Sequence, residues 1–207
     1  MIKNIVFDVG NVLVHYTPAT FIHRFTDKPE YQEVLLQEIF LSVDWVKYDR
    51  GTVSKDQLGR SVCARIPQHL QDMAIEIIDR WHEEIQPNSS IEPVVKALKE
   101  QGYQLYILSN APHAFHQFKQ KIAGIEYMSG IFVSAEWKLI KPQKEIYEAF
   151  CSHFRLIPSQ CFFIDDLPAN VEGALNAGMS GCIFKGDVQE LVRKLAESGV
   201  SLDEKRA

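Results

Sequence analysis

Five short apolar runs, each stopping abruptly at polar or turn-forming residues, limit the possible folds of this chain more than any other feature. They are Ile5-Val6-Phe7 before Asp8-Val9-Gly10-Asn11, Tyr103 to Leu108 before Ser109-Asn110, and Ile131-Phe132-Val133 before Ser134. The last two are Cys161 to Ile164 before Asp165-Asp166, and Gly181 to Phe184 before Lys185-Gly186. β-Branched and aromatic residues closed by turn formers mark a buried strand running into a loop. Unbroken apolarity, without alternation, is what a strand covered on both faces requires. Helical patterns fill the gaps. Val94, Val95 and Leu98 follow the capping-box pattern Ser89-Ser90-Ile91-Glu92, and Gly102 closes that helix. Pro142 suits a helix's first turn, with Ile146, Ala149, Phe150 and Phe154 behind it. Ala169 to Ala177 make a shorter helix ended by Gly178. Strands alternating with helices predict an α/β fold, a doubly wound parallel sheet.

From about Thr17 to Pro87 the alternation stops and helix follows helix. Tyr31 to Val43 carries one helical pattern, and Ser54-Lys55-Asp56-Gln57 is a second capping box. Leu70, Met73, Ala74, Ile77, Ile78, Trp81 and Ile85 form a stripe that reads as core packing. The simplest organisation is a core made of residues 1–16 and 88–207, with an α-helical domain, 17–87, inserted after the first strand.

The chain's 207 residues carry a net charge of −5 and no long basic run, which argues against non-specific nucleic-acid binding. No apolar run approaches the roughly 20 residues of a membrane helix. The N-terminal apolar stretch is cut by Asp8 and is too short for a signal peptide. None of the four cysteines forms a C-x-x-C pair, so free thiols in a reducing cytoplasm are expected.

Ligands of open α/β sheets bind beyond the carboxyl ends of the strands. Those ends carry Asp8, Ser109-Asn110 and Asp165-Asp166, and Lys141 lies in the loop after the third strand. Carboxylates from separate strands repel one another unless a cation joins them, and hard oxygen ligands suit Mg²⁺. A carboxylate can also attack phosphorus to form an acyl-phosphate.

Phe7-Asp8-Val9-Gly10-Asn11-Val12-Leu13, Leu108-Ser109-Asn110, Lys141-Pro142, and Phe162-Phe163-Ile164-Asp165-Asp166 continuing to Asn170, Gly173, Ala174 and Gly178 occur in order along the chain. Together they resemble the four motifs of the haloacid dehalogenase-like hydrolases, over the whole chain, with residues 17–87 in the place of that family's helical cap on a Rossmann-like core. The resemblance implies a magnesium-dependent phosphatase. Asp8 would be nucleophile and metal ligand, with the Gly10 carbonyl, Asp166 and Asp165 completing the metal set, Asp165 directly or through water. Ser109 and the Asn110 N–H would hold phosphoryl oxygens, Lys141 would bridge phosphate and Asp8, and Asn170 would orient the fourth-motif loop. The Asp-x-Gly-Asn-Val form resembles a subgroup that includes sugar-phosphate phosphatases, so the expected partner is a small phosphate ester, with neither nucleic acid nor membrane.

One position departs from the family's commonest pattern. Two residues after the nucleophile most such phosphatases carry an Asp that protonates the leaving group and later activates water. Here that position is Gly10. A good leaving group, another donor such as His15 or a cap residue, or weak catalysis would each follow. Two other classes stay open: a metal-independent 2-haloacid dehalogenase, and a binding or regulatory protein without turnover. His113 and His116 form His-x-x-His without further ligands at suitable spacing, so surface or otherwise satisfied histidines are expected. Trp45 to Gly51 is either a substrate-facing cap loop or ordinary cap packing.

Overall fold

The computed structural model describes residues 1–202. β1 (Asn4–Phe7) opens the chain and β2 (Val14–His15) follows the first loop. Five helices come next: α1 (Pro18–His23), α2 (Pro29–Leu35), α3 (Val43–Asp49), α4 (Lys55–Cys63) and α5 (Gln68–Arg80). β3 (Gln86–Pro87) then pairs antiparallel with β2, so the helical excursion leaves and re-enters through adjacent strands. The rest alternates: α6 (Glu92–Glu100), β4 (Gln104–Ser109), α7 (Phe115–Phe118), β5 (Gly130–Val133), α8 (Ser134–Trp137), α9 (Lys144–Phe154), β6 (Cys161–Asp165), α10 (Pro168–Asn176), β7 (Ser180–Ile183) and α11 (Val188–Glu197).

The main sheet runs β5-β4-β1-β6-β7 with every neighbouring pair parallel. The chain winds outward from β1 to β4 and β5, then crosses back to β6 and on to β7. β1 and β6 therefore flank the point where the winding reverses, where connecting loops diverge and leave a crevice. Successive side chains point to opposite faces. Ile5 and Phe7 join Leu105, Ile107 and Ile164 in the core that α6 covers with Val95 and Leu98. Val6, Tyr106, Leu108, Phe132 and Phe163 point the other way, onto Ile146, Tyr147 and Phe150 of α9. Both faces are dry, which is why the strand sequences do not alternate.

Five local expectations meet different outcomes. The Ser54 capping box forms: Ser54 Oγ accepts from the Gln57 N–H at 3.2 Å and Gln57 Oε1 accepts from the Ser54 N–H at 2.8 Å. The Ser89 to Glu92 box does not form, because α6 begins at Glu92 with Ile91 as its cap; the neighbouring Ser90 donates its hydroxyl to Asn88 Oδ1 at 2.6 Å. Tyr31 to Val43 is not one helix. α2 passes into a π-helical turn, Leu36–Phe40, and Ser42 then caps α3 by accepting from the Trp45 N–H. Pro142 precedes α9, after a cis Lys141–Pro142 peptide, and does not lie in its first turn. The α5 stripe is core packing, with Leu70, Ala74, Ile77, Ile78, Trp81 and Ile85 all buried. Among the described residues no helix is long and apolar enough to cross a membrane, and all four cysteines are free thiols.

Gly173 shows how tightly α10 sits on the Lys141–Pro142 loop. A Cβ there would lie 2.6 Å from the Pro142 carbonyl oxygen and 2.9 Å from a Tyr147 ring carbon. Overpacking of this kind costs about 1–3 kcal/mol. Gly173→Ala should therefore lower stability by about 2 kcal/mol in urea unfolding; a loss under about 0.5 kcal/mol would contradict this packing.

Candidate active site

The ladder between β1 and β6 continues one residue past β1, with the Asp8 N–H donating to the Ile164 carbonyl at 2.8 Å. This sets Asp8 beside Asp165, the last residue of β6. The chain then turns sharply, because the Val9 carbonyl accepts from the N–H groups of Leu13 and Val14 at 3.0 Å each. Asn11 takes the left-handed conformation at φ 54°, which Asn tolerates better than most residues. Its side chain accepts from the Tyr16 N–H at 3.1 Å and donates to Asp166 Oδ2 at 3.0 Å. The first and fourth motifs are thereby joined.

Lys141 lies at the centre. Its Nζ is 2.8 Å from Asp8 Oδ1 and 2.7 Å from Asp165 Oδ2, and its side chain is wholly enclosed. Burial works against the ammonium, but the Asp8 and Asp165 charges outweigh it and hold Lys141 above its ordinary pKa. Asp8 is shifted the other way. Burial raises its carboxyl well above the usual range, Lys141 opposes this, and Asp165 adds to it. The Lys141 backbone is positioned by Asn110, whose Nδ2 donates to the Lys141 carbonyl at 3.0 Å and whose Oδ1 accepts from the Lys141 N–H at 2.9 Å.

The two adjacent carboxylates of the fourth motif differ. Asp165 is fully buried and its oxygens are occupied: Oδ1 accepts from the Leu167 N–H at 2.9 Å and from Asn170 Nδ2 at 3.0 Å, while Oδ2 accepts from Lys141 and from Asn170 at 3.1 Å. Asp166 is partly exposed, and burial raises its carboxyl against the opposing Asn11 hydrogen bond. Carboxylate oxygens of Asp8, Asp165 and Asp166 all lie within 4.8 Å of one another. Three carboxylates with one enclosed ammonium leave an excess of negative charge, the donor set a hard divalent cation fits. Ser109 is buried at the end of β4, and Gly10 sits partly exposed in the first loop.

The structure thus brings Asp8, Lys141, Asp165 and Asp166 together, with Ser109 and Asn110 at the neighbouring strand end. Three further residues gain roles that the sequence did not announce. Asn11 bridges two motifs, Asn110 uses its side chain on Lys141, and Asn88 fastens the re-entry point by donating to the Val12 carbonyl at 2.8 Å. Their pairings are long-range, so no local spacing signals them. His116 pairs with Glu136 at 2.6 Å, and among the described residues the side-chain cluster able to hold a metal ion, Asp8, Asp165 and Asp166, includes neither His113 nor His116. The Trp45 to Gly51 segment divides. Trp45 and Tyr48 are buried in an aromatic cluster with Phe40 and Trp81, whereas Asp49, at the end of α3, lies close enough to feel the charge of Asp8.

Removing one partner of a buried ion pair leaves an uncompensated charge and costs about 3–5 kcal/mol. Lys141→Met should destabilise the metal-free protein by about that amount in urea unfolding, and added Mg²⁺ should recover part of the loss. A variant as stable as wild type without metal would contradict the central role given to this pair.

A family model for haloacid dehalogenase-like hydrolase matches residues 2–178. The chain is similar to flavin mononucleotide hydrolase 1 of Arabidopsis thaliana, 22% identical over 96% of this chain and 78% of that protein. It is also similar to a sesquiterpene phosphatase of Aspergillus oryzae, 26% identical over 86% of this chain and 88% of that one. Among solved structures, a haloacid dehalogenase family enzyme of Bacteroides thetaiotaomicron, in complex with magnesium and inorganic phosphate, superposes with a TM-score of 0.72, at 22% identity over 92% of this chain and 99% of that chain. The L-2-haloacid dehalogenase of Xanthobacter autotrophicus shares the fold at a TM-score of 0.63, with 19% identity over 99% of this chain and 85% of that chain. The doubly wound sheet, the helical insertion after the first strand and the match over most of the sequence lead to one conclusion: this chain belongs to the haloacid dehalogenase-like hydrolase family.

Proposed function

We propose that the protein is a magnesium-dependent phosphatase that hydrolyses a small phosphomonoester through an aspartyl-phosphate, with residues 17–87 acting as a cap over the site. The observation that carries this reading is the packing of three carboxylates within 4.8 Å around a buried lysine. A dehalogenase that attacks carbon needs one nucleophilic carboxylate and no cation, and the second and third carboxylates would then be a burden. Both curated relatives carry names of phosphate-ester hydrolases, which supports the same reaction class.

Asp8 and Asp166, with the Gly10 carbonyl, are the groups with coordination capacity left for Mg²⁺. Asp165, already accepting from Lys141, Asn170 and Leu167, would reach the ion only through water. The cation would neutralise charge on the phosphoryl oxygens and favour the ionised form of Asp8. Asp8 then attacks phosphorus, the bond to the ester oxygen breaks, and that oxygen departs with the electron pair. Lys141 holds Asp8 in line and faces the phosphoryl group. The Ser109 hydroxyl and the Asn110 N–H supply donors to its oxygens. Water hydrolyses the aspartyl-phosphate and restores Asp8.

A cavity of about 330 Å³ lies at the seam between the helical insertion and the sheet domain, lined by Tyr48, Lys55, Asp79, His82, His113 and Gln117 among others. The sugar-phosphate reading rests on the Asp-x-Gly-Asn-Val form of the first motif, since none of Asp8, Ser109, Lys141 or Asp166 lines this cavity. The free thiols support a reducing compartment, the cytoplasm.

The test is a panel of phosphate esters with Mg²⁺, including hexose 1- and 6-phosphates, flavin mononucleotide and 4-nitrophenyl phosphate. EDTA should abolish turnover, and Asp8→Asn should lower kcat/KM by at least about a thousandfold. Activity on a 2-haloacid that survives EDTA would instead establish the dehalogenase. An Asp8→Asn variant as fast as wild type would remove the nucleophile assignment.

A further inference from the structure

Gly10 leaves the reaction without the acid that this position usually supplies, and the reason is not lack of room. A Cβ on Gly10 would meet only Tyr16 Cβ, at 3.8 Å, an ordinary contact. The proton source therefore has to be sought among other groups that border Asp8. His15 is exposed on β2 and lines a cleft with Asn11, Asp166 and Lys185, on the fourth-motif side of the site. Tyr16 accepts a hydrogen bond from Trp45, and burial holds its hydroxyl well above the ordinary phenol range, so it is a poor proton donor near neutrality.

Asp49 remains, and its placement is specific. It closes α3 at the end of the insertion that faces the sheet domain. Its backbone is fastened to that domain: Ser134 Oγ donates to the Asp49 carbonyl and accepts from the Ala111 N–H at 2.9 Å. Two residues on, Gly51 lies so close to α8 that a Cβ would fall 2.3 Å from the Ala135 carbonyl oxygen, and its φ of 73° is one few other residues tolerate. Two backbone attachments thus hold Asp49 against the site. Among the described residues its carboxylate forms no ion pair and accepts no hydrogen bond, unlike Asp8, Asp165 and Asp166. Asp49 senses the charge of Asp8 from the first loop, and the hydroxyls of Tyr16 and Tyr48 sense that of Asp49. Burial, reinforced by the Asp8 charge, raises its carboxyl well above the ordinary range.

We propose that Asp49, carried by the helical insertion and pinned to the core at Ser134 and Ala135, is the general acid–base residue that replaces the acid absent at position 10. This rests on the phosphatase reading above. In the first half-reaction the bond between phosphorus and the ester oxygen breaks as Asp8 attacks, and the departing oxygen takes the Asp49 proton to leave as the alcohol. In the second half-reaction the Asp49 carboxylate removes a proton from water. The resulting hydroxide attacks phosphorus and expels the Asp8 carboxylate, giving inorganic phosphate and a reprotonated Asp49. The assignment also gives the insertion a chemical part in turnover: the site is complete only while α3 is seated on the sheet domain.

The experiment compares leaving groups. General acid catalysis contributes roughly 10²- to 10⁴-fold, but only where the leaving oxygen needs a proton. Asp49→Asn should therefore lower kcat/KM at least about a hundredfold on every alkyl phosphate that the wild type hydrolyses in the panel. On 4-nitrophenyl phosphate, whose phenolate departs unaided, the fall should stay within about fivefold. Acid quenching should trap phosphorylated Asp49→Asn, because hydrolysis of the aspartyl-phosphate loses its base, and Asp49→Glu should restore part of the alkyl ester rate. An equal loss on both ester types, or none on either, overturns the proposal. In the wild type alone, kcat/KM should depend only shallowly on leaving-group pKa; a steep dependence also overturns it, whether or not the variant folds. A wild type inactive on the whole panel would sink the phosphatase reading itself, which is a distinct result.

Discussion

A lysine ammonium buried between two aspartates at the switch point of a parallel sheet holds the site together. Lys141 reaches Asp8 and Asp165 from a loop that belongs to neither of their strands. Each neighbour of that contact is arranged around it. Asn110 fixes the lysine's backbone, Asn170 and Leu167 fix Asp165, and Gly173 lets α10 approach the lysine's own loop. Buried ion pairs contribute little stability relative to apolar replacements of the same volume. Retaining one at the mouth of the crevice therefore makes sense as chemistry and not as reinforcement. On the proposed mechanism the pair would hold the nucleophile in place, and its residual negative charge would recruit the cation.

The carboxylates divide the work because their surroundings differ. Asp165 is saturated with donors and acts as an anchor. Asp166 is more exposed and is contacted by Asn11 through one oxygen, which in the proposed mechanism would leave it free to hold the metal. Asp8 would be the attacking group in that mechanism. Among the described residues the Asp49 carboxylate accepts no hydrogen bond, and burial raises it above the ordinary range. Burial and hydrogen bonding thus give four residues of one type four different environments.

Much of this was legible in the sequence, and the reasons are specific. The five strands were visible because a two-sided sheet needs unbroken apolar runs, and the strand-end rule then placed Asp8, Ser109, Asp165 and Asp166 at one edge. The helical stretch between Thr17 and Pro87 was visible for the same reason of periodicity. What stayed hidden was long-range pairing. Asn110 reads as a phosphate-loop residue, yet its side chain serves the backbone of Lys141. Ser89 reads as a helix cap, but α6 begins only at Glu92, capped by Ile91. Tyr31 to Val43 reads as one helix because hydrophobic spacing does not reveal a π turn or the Ser42 cap. Asp49 could be named only as part of a candidate segment. Its nearness to Asp8 is created by Ser134 and Gly51, and neither carries a signature of that contact.

The attachment at Ser134 and Gly51 has a consequence for how such a protein can change. The hydroxyl grips a carbonyl that every amino acid possesses, and the glycine contact asks only that no side chain be present. The seam is thus indifferent to the identity of the residues facing the neighbouring cavity. Substitutions at Tyr48, Lys55 or Gln117 can remodel what the cavity accepts while leaving the backbone docking point in place. In the proposed mechanism, proton transfer from Asp49 would thus depend on the seam and not on the side chains that line the cavity.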